Sequence, residues 1–287
     1  MTFGERLAAA MAKHGPLCVG IDPHPGLLEA WGLPQDVDGL TRFVEACVQA
    51  FAGHVAVVKP QSAFFERFGA AGIAVLERTL ADLREADTLS LLDVKRGDIG
   101  TTMEAYAHAY LTDDAPLRAD AVTVSPYLGY GSLRPALDLA RATGRGVFVL
   151  ALTSNPDGPS VQHARTATDS VAGAVVAGAA ADNADAPGLG HVGLVVGATV
   201  GTAVSELGVD LAASRAPLLA PGLGAQGATA ADLRTVFGAA APQVLASASR
   251  SVLAAGPDAR ALRRAARHTA EELARELGRG VDVPVPR

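Results

Sequence analysis

Short apolar runs alternate along the chain with longer, alanine-rich segments. Eight of the runs are mostly apolar, several of them rich in β-branched residues, and carry little charge except at their ends: LCVGID (17–22), HVAVVKP (54–60), TLSLLDVK (88–95), ADAVTVS (119–125), GVFVLAL (146–152), HVGLVVGA (191–198), APLLAPG (216–222) and PQVLASAS (242–249). Because they are apolar on both alternating faces and spaced widely enough for crossover helices, they predict parallel strands covered by helices. Eight such units predict a (β/α)₈ TIM barrel, in the α/β class, rather than a doubly wound sheet.

The length of the chain suits one barrel of this kind. It has 287 residues, of which 49% are hydrophobic, and α/β barrels of about 250 residues commonly form one domain. We therefore expect residues 1–287 to form a single TIM-barrel catalytic domain. The widest interval between predicted strands, 153–190, holds TSNPDGPS and then a helical segment at 170–181, so we expect an elaborated loop after the fifth strand.

Charge and cysteine content narrow the class of partner. The net charge is −6, and lysine and arginine cluster only in the C-terminal helical segment, which argues against a nucleic-acid or anionic-membrane surface and favours a small molecule. Cys18 and Cys47 have no metal-type spacing, so we expect two reduced core residues in a cytoplasmic protein. The opening stretch MTFGERLAAAMAKHG predicts a short amphipathic helix rather than an export signal.

One uncharged stretch is long enough to cross a membrane. Residues 186–205 contain no Asp, Glu, Lys or Arg over 20 positions, and about 20 apolar residues span a bilayer. Five glycines, Pro187 and His191 interrupt it, which predicts a loop, a short strand and the start of a helix instead. We therefore expect no membrane segment.

Polar residues close most of the predicted strands. Active sites of these barrels lie at the carboxyl ends of the strands, so such residues should gather at one rim. The side chains in question are Asp22, Lys59, Asp93, Lys95, Ser125, Thr153, Ser154, Gln226 and Arg250.

The stretch LLDVKRGDIG (91–100) carries the densest charge of this rim. Residues two apart on a strand share a face, so Asp93 and Lys95 should both point into the barrel mouth, and Lys59 should do so from its own strand. A buried carboxylate between two ammonium groups is electrostatically balanced. This pattern fits either a catalytic array or a structural ion-pair network.

Asp98 follows at the opening of a predicted helix, DIGTTMEAYAHAY. A carboxylate there can simply cap the helix. Alternatively, Asp98 and Thr102, one turn further on, present a carboxylate and a hydroxyl to a ribose or to another subunit.

DVKRGDIG (93–100) resembles the DxKxxDI signature of the orotidine 5′-phosphate decarboxylase family. The resemblance covers nearly the whole chain, because six further motifs follow the family's order: GIDPHP (20–25), VVKPQSAFFERFG (57–69), SPYLG (125–129), LALTSNP (150–156), PGLGAQG (221–227) and ASASRS (246–251). The KPQSAFFE segment and the long region after the fifth strand resemble the bacterial subgroup with longer chains.

The resemblance implies a role for each matching residue. Lys59, Asp93, Lys95 and Asp98 would form the family's charged array, with Asp98, Ile99 and Thr102 supplied by the other subunit of a homodimer. Asp22 and Lys59 would hold the ribose 3′-hydroxyl, and Asp98 and Thr102 of the partner subunit the 2′-hydroxyl. Ser154 would bind the pyrimidine, while Gln226 and Arg250 would bind the 5′-phosphate, in agreement with the general phosphate site of these barrels.

The implied reaction is the decarboxylation of orotidine 5′-phosphate to UMP and CO₂, the last step of de novo pyrimidine synthesis, without metal or cofactor. Lys95 would stabilise the charge that develops at C6 and then deliver a proton there. No nucleic-acid or membrane partner is implied.

Other interpretations remain open at this point. A magnesium-dependent sugar-phosphate decarboxylase or aldolase of the same superfamily reuses a DxKxxD strand, and metal dependence would separate it from the pyrimidine enzyme. A barrel that only binds a nucleotide or phosphate is the alternative from another class. Gly222, Gly224 and Gly227 spell GxGxxG, but in the seventh unit and without the expected downstream acidic residue, so we interpret them as a phosphate-binding loop rather than a dinucleotide site.

Overall fold

Eight parallel strands close into a barrel in chain order in the computed structural model, which describes residues 1–224 and 227–278. Each of the eight predicted runs matches one strand, and β3 extends one residue beyond its run: β1 Leu17–Ile21, β2 Val57–Pro60, β3 Leu89–Arg96, β4 Ala121–Val124, β5 Gly146–Leu152, β6 Val192–Val196, β7 Leu218–Pro221 and β8 Val244–Ala248. The prediction of a TIM barrel is therefore confirmed. Pairing of β8 with β1 completes the cylinder.

Helices cover the outside of the barrel and one end of it. In chain order they are α1 Phe3–His14, α2 Pro25–Ala30, α3 Val37–Phe51, α4 Ala63–Glu66, α5 Gly69–Glu85, α6 Gly100–Leu111, α7 Arg134–Ala142, α8 Pro159–Gln162, α9 Val171–Asp182, α10 Ala203–Glu206, α11 Ala230–Phe237, α12 Arg250–Leu253 and α13 Ala259–Glu276, with 3₁₀ turns at Tyr130–Leu133 and Gly238–Gln243. The uncharged stretch 186–205 forms a loop, β6 and the start of α10, as its glycines predicted. Among the described helices, none combines the length and the apolar character needed to cross a membrane.

The amphipathic helix α1 closes the amino-terminal end of the barrel. Its buried residues Phe3, Leu7 and Met11 pack with inward-facing strand residues that include Phe148. The rings of Phe3 and Phe148 pack edge to face, with 6.0 Å between their centroids. Glycine leaves room for both rings, because a Cβ on Gly146 would lie 2.5 Å from Phe3 and a Cβ on Gly193 would lie 2.5 Å from Phe148. The opposite end of the barrel stays open for a site.

We expect Phe3→Ala to lower the free energy of unfolding by about 3 to 5 kcal/mol, because it opens a cavity beneath the barrel. Urea denaturation measures this change. Lys13→Ala, on the exposed side of the same helix, should leave the free energy of unfolding unchanged. A loss below about 1 kcal/mol for Phe3→Ala would contradict the assignment of α1 as a structural plug.

Candidate active site

A cavity of about 380 Å³ opens at the carboxyl ends of the strands. It brings together seven of the rim residues that the sequence predicted. They lie on β2 and β3, on the loops after β1 and β5, and at the start of α12: Asp22, Lys59, Asp93, Lys95, Thr153, Ser154 and Arg250. Pro221, Gly222 and Leu223 complete the wall at the end of β7. Charged and polar groups from distant parts of the chain therefore share one pocket.

Asp93 is the centre of the charged array. Its Oδ2 accepts a hydrogen bond from Lys59 Nζ at 2.9 Å, and its Oδ1 accepts one from Lys95 Nζ at 2.5 Å. The Lys59 and Asp93 side chains are about one tenth exposed, whereas that of Lys95 is 45% exposed. The two lysines thus pair with the same carboxylate but differ in their access to the cavity.

Burial and pairing act in opposite directions on these groups. Burial alone would raise the pKa of Asp93, but the ammonium groups of Lys59 and Lys95 outweigh it and hold that pKa well below its usual value. Burial alone would lower the pKa of Lys59, but the carboxylates of Asp93 and Asp22 outweigh it and raise that pKa. The pair therefore stays charged across the physiological range.

An irregularity in β3 sets the position of Lys95. Leu92 pairs with Val122 and Arg96 with Val124, so four steps along β3 match only two along β4. Within this bulge Lys95 adopts a left-handed backbone conformation, with φ of +47°, which residues with side chains rarely adopt. Both Asp93 and Lys95 reach the cavity, but not through regular strand alternation.

Thr123 of β4, which was not among the predicted site residues, supports the bulge. Its Oγ1 accepts hydrogen bonds from the backbone N–H groups of Val94 and Lys95, each at 3.0 Å, and it donates to Asp93 Oδ1 at 2.8 Å. The sequence signal for this residue was a threonine between Val122 and Val124 in a buried strand, where strand alternation places its side chain on the opposite face from the two valines.

Asp22 offers an acceptor that the described residues do not use. Its Oδ1 is buried and has no hydrogen-bond partner among them. A buried polar atom without a partner is costly and calls for an explanation. Because Asp22 lines the cavity beside Lys59, a donor on a bound ligand is a suitable partner.

Hydrogen bonds within the loop after β5 fix the segment that carries Ser154. Thr153 N donates to Gln162 Oε1 at 2.9 Å, Gln162 Nε2 donates to Thr153 Oγ1 at 2.6 Å, and Thr153 Oγ1 donates to Asn155 Oδ1 at 2.6 Å. Because the Asn155 side-chain oxygen faces Thr153, the amide N–H groups of Asn155 point away from Thr153. Asn155 lines the cavity next to Ser154, a position that the sequence alone did not predict.

The predicted phosphate end of the cavity contains Arg250, Ser249 and Gly222. Gly222 and Gly224 have φ of +114° and +71°, and such conformations favour glycine. Gln226, the other predicted phosphate ligand, lies outside the described residues.

Four predicted residues lie outside the cavity of their own chain, and one of them, Ser125, lines a separate pocket. Asp98, Ile99 and Thr102 are at the rim, where Ile99 is 62% exposed. Asp98 Oδ1 accepts a hydrogen bond from Ile99 N at 2.8 Å. The cap interpretation of Asp98 is wrong, since α6 begins at Gly100 with Ile99 at the N-cap position and no side-chain cap.

The fold and the pocket define a TIM-barrel enzyme with a lysine–aspartate–lysine array at its mouth. Residues 15–265 match the model of the orotidine 5′-phosphate decarboxylase / HUMPS family, and the chain belongs to this family. An orotidine 5′-phosphate decarboxylase from Salinispora arenicola is 64% identical over 266 residues, which cover 92% of this chain and 94% of the relative.

Two solved structures agree with this assignment. One from Streptomyces avermitilis is 58% identical, with a TM-score of 0.93 and 96% of each chain covered. The OMP decarboxylase of Leishmania donovani is 31% identical, with a TM-score of 0.74 and coverage of 97% of this chain and 100% of that one. The chain is accordingly an enzyme of the decarboxylase class, a carbon–carbon lyase of pyrimidine biosynthesis.

The pKa of Asp93 leads to a test of stability against pH. Asp93→Asn leaves the buried ammonium of Lys59 without its nearest counter-charge, so we expect the free energy of unfolding at pH 7 to fall by about 3 to 5 kcal/mol. Because the folded pKa of Asp93 lies below the unfolded value of 3.8, the ionised carboxylate stabilises the protein above about pH 4 and progressively less below it. The difference between wild type and variant should therefore narrow from about pH 5 downward.

Urea denaturation at stepped pH measures this difference. Asp38→Asn is the matched control, since Asp38 is 71% exposed with only a long ion pair to Arg42, and it should leave stability unchanged. A wild-type-to-variant difference that stays constant down to about pH 2.5 would show that Asp93 does not owe its ionised state to the two lysines.

Proposed function

We propose that this chain converts orotidine 5′-phosphate to UMP and CO₂ without metal or organic cofactor, and that Lys95 is the proton donor to C6. The observation that carries the proposal is the position of the Lys95 ammonium, which is 2.5 Å from Asp93 Oδ1 on a side chain that is 45% exposed to the cavity. It is a fixed positive charge that still faces the cavity.

The chemistry follows from where the electron pair goes. When the bond from C6 to the carboxylate breaks, CO₂ leaves and the pair stays in an sp² orbital at C6, which the ring delocalises poorly. A fixed ammonium beside C6 stabilises this charge. The proton then moves from Lys95 Nζ to C6, and Lys95 regains a proton from water. Asp93 keeps the ammonium in place, and Lys59 balances Asp93 at its other oxygen.

The remaining cavity residues supply binding energy away from the reacting bond. We assign Asp22 and Lys59 to the ribose 3′-hydroxyl, which would give Asp22 Oδ1 the donor that it lacks. Ser154 is assigned to the pyrimidine, and Arg250 with Gln226 to the 5′-phosphate. The phosphate assignment is supported by the common phosphate site after strands seven and eight of TIM barrels. Such remote contacts can be used to organise the reacting centre.

We propose further that two chains form a homodimer in which Asp98, Ile99 and Thr102 complete the cavity of the partner subunit. These residues lie outside the cavity of their own chain. Ile99, Tyr127 and Leu128 are large apolar residues that are 62%, 80% and 53% exposed, and exposed apolar groups of this kind often mark an interface. Their loops are neighbours, since a Cβ on Gly97 would lie 2.3 Å from Ser125 O.

We also propose that residues 1–287 act as one catalytic unit in the cytoplasm. In support, α13 packs against the barrel through buried residues such as Leu262 and Leu273. Cys18 and Cys47 are free and buried, as thiols in a reducing compartment can remain. Burial raises the pKa of Cys18 to about 12.

The first experiment is decarboxylation of orotidine 5′-phosphate in excess EDTA, monitored by loss of the orotate absorbance. Turnover supports the substrate and metal independence together. Turnover of a sugar phosphate only after magnesium is restored would favour the related sugar-phosphate enzymes. Binding of UMP without turnover under either condition would favour a barrel that only binds.

Lys95→Ala should lower kcat by at least about 100-fold, because the proton donor is removed, while UMP affinity measured by calorimetry stays within a few-fold. Arg250→Ala should instead raise KM by about 10- to 100-fold through loss of charged hydrogen bonds to phosphate. Arg260→Ala, exposed on α13, serves as the control and should change neither constant. Activity near wild type in Lys95→Ala would remove it from the mechanism.

Mixed dimers test the shared site. Lys95→Ala and Asp98→Ala should each be inactive, but a hybrid dimer has one site with both native residues. Random mixing makes about half the dimers hybrids, so about one quarter of wild-type activity should return. Mixing Lys95→Ala with Lys59→Ala should restore none, because both residues belong to the same subunit's site. No recovery in the first mixture would contradict the dimer proposal.

A further inference from the structure

Thr123 occupies a buried position at the base of the charged array. Thr123 is 1% exposed, and its side chain forms hydrogen bonds with three groups of β3, the strand that carries Lys95. These are the N–H groups of Val94 and Lys95 and the carboxylate of Asp93. No other part of the proposed mechanism requires a hydroxyl at this place.

The donors around Thr123 determine where its own proton points. A hydroxyl oxygen accepts two hydrogen bonds and donates one. The two backbone N–H groups can only donate, so they occupy the two acceptor positions of Oγ1. The hydroxyl proton must then go to Asp93 Oδ1, at 2.8 Å. Asp93 Oδ1 also accepts a hydrogen bond from Lys95 Nζ.

Thr123 also replaces backbone bonding that the bulge of β3 removes. Because the register between β3 and β4 shifts at the bulge, the backbone N–H groups of Val94 and Lys95 lose their regular partners in the strand ladder. Buried N–H groups without partners are strongly disfavoured. Thr123 Oγ1 supplies that acceptor to both. It therefore stabilises the left-handed backbone of Lys95, whose φ is +47°.

We propose that Thr123 is a positioning residue that sets the location of the Lys95 ammonium. It holds Lys95 at two points, through the backbone N–H and through the carboxylate that binds Nζ. The inference rests on the proposed role of Lys95 as proton donor. Since small misplacements of a reacting group reduce rates strongly, and since phosphate and ribose contacts lie elsewhere, Thr123 should affect kcat more than KM.

The test uses the full-length enzyme with Thr123→Val, which keeps the shape but removes the hydroxyl. We expect kcat for decarboxylation to fall by about 10- to 100-fold, the range for a lost hydrogen bond to a charged group, with KM and UMP affinity within about threefold. Thr123→Ser should restore kcat to within about threefold of wild type. Thr79→Val is the matched control, because Thr79 is equally buried and its hydroxyl donates only to Val75 O in α5.

Several outcomes would overturn the proposal. Thr123→Val with wild-type kcat would do so, as would Thr123→Ser and Thr123→Val losing kcat equally, since the effect would then come from packing. Should Thr123→Val fail to fold, Thr123→Cys retains the volume with a weak donor and must also lose kcat. Wild type and Lys95→Ala, assayed alongside, keep failure of this inference separate from failure of Lys95 as donor.

Discussion

The carboxylate of Asp93, buried between two ammonium groups, is the interaction on which the open end of the barrel depends. A buried charge without a partner costs several kcal/mol, so Lys59 and Asp93 each require the other. The backbone of Asp93 is held as well, because its carbonyl accepts a hydrogen bond from Ser62 N at 3.2 Å. Three residues after Asp93, Arg96 forms an ion pair with Glu66, with 2.7 Å between Arg96 Nη2 and Glu66 Oε1. The segment after β2 is thereby fixed to the end of β3.

Apolar packing and charged side chains lie at opposite ends of the cylinder. At the amino-terminal end, α1 and two aromatic rings close the barrel with apolar packing, and glycines in β5 and β6 make room for the rings. At the other end, charged side chains surround an open cavity. A dry, well-packed floor keeps the strands in a fixed arrangement, so that groups from separate strands meet with little freedom to separate.

The barrel could be predicted from the sequence because a parallel strand that is buried on both faces leaves a local signature. The polar residues at the strand ends could also be predicted, because they stand out where each apolar run ends. The backbone of Lys95 could not, since the bulge depends on Thr123 of the neighbouring strand, which follows 28 positions later. The start of α6 was also misjudged, because Ile99 takes the N-cap position without a side-chain bond.

The two lysines differ in a way that suits only Lys95 to the proposed proton transfer. Lys59 is buried between two carboxylates that raise its pKa, so its proton is held more tightly and is poorly placed for replacement from water. Lys95 shares one carboxylate with Lys59 and Thr123, and its side chain is 45% exposed. It can therefore approach a ligand, give up a proton and regain one from solvent. Lys59 keeps Asp93 ionised, and Asp93 in turn holds Lys95, the proposed proton donor, in position.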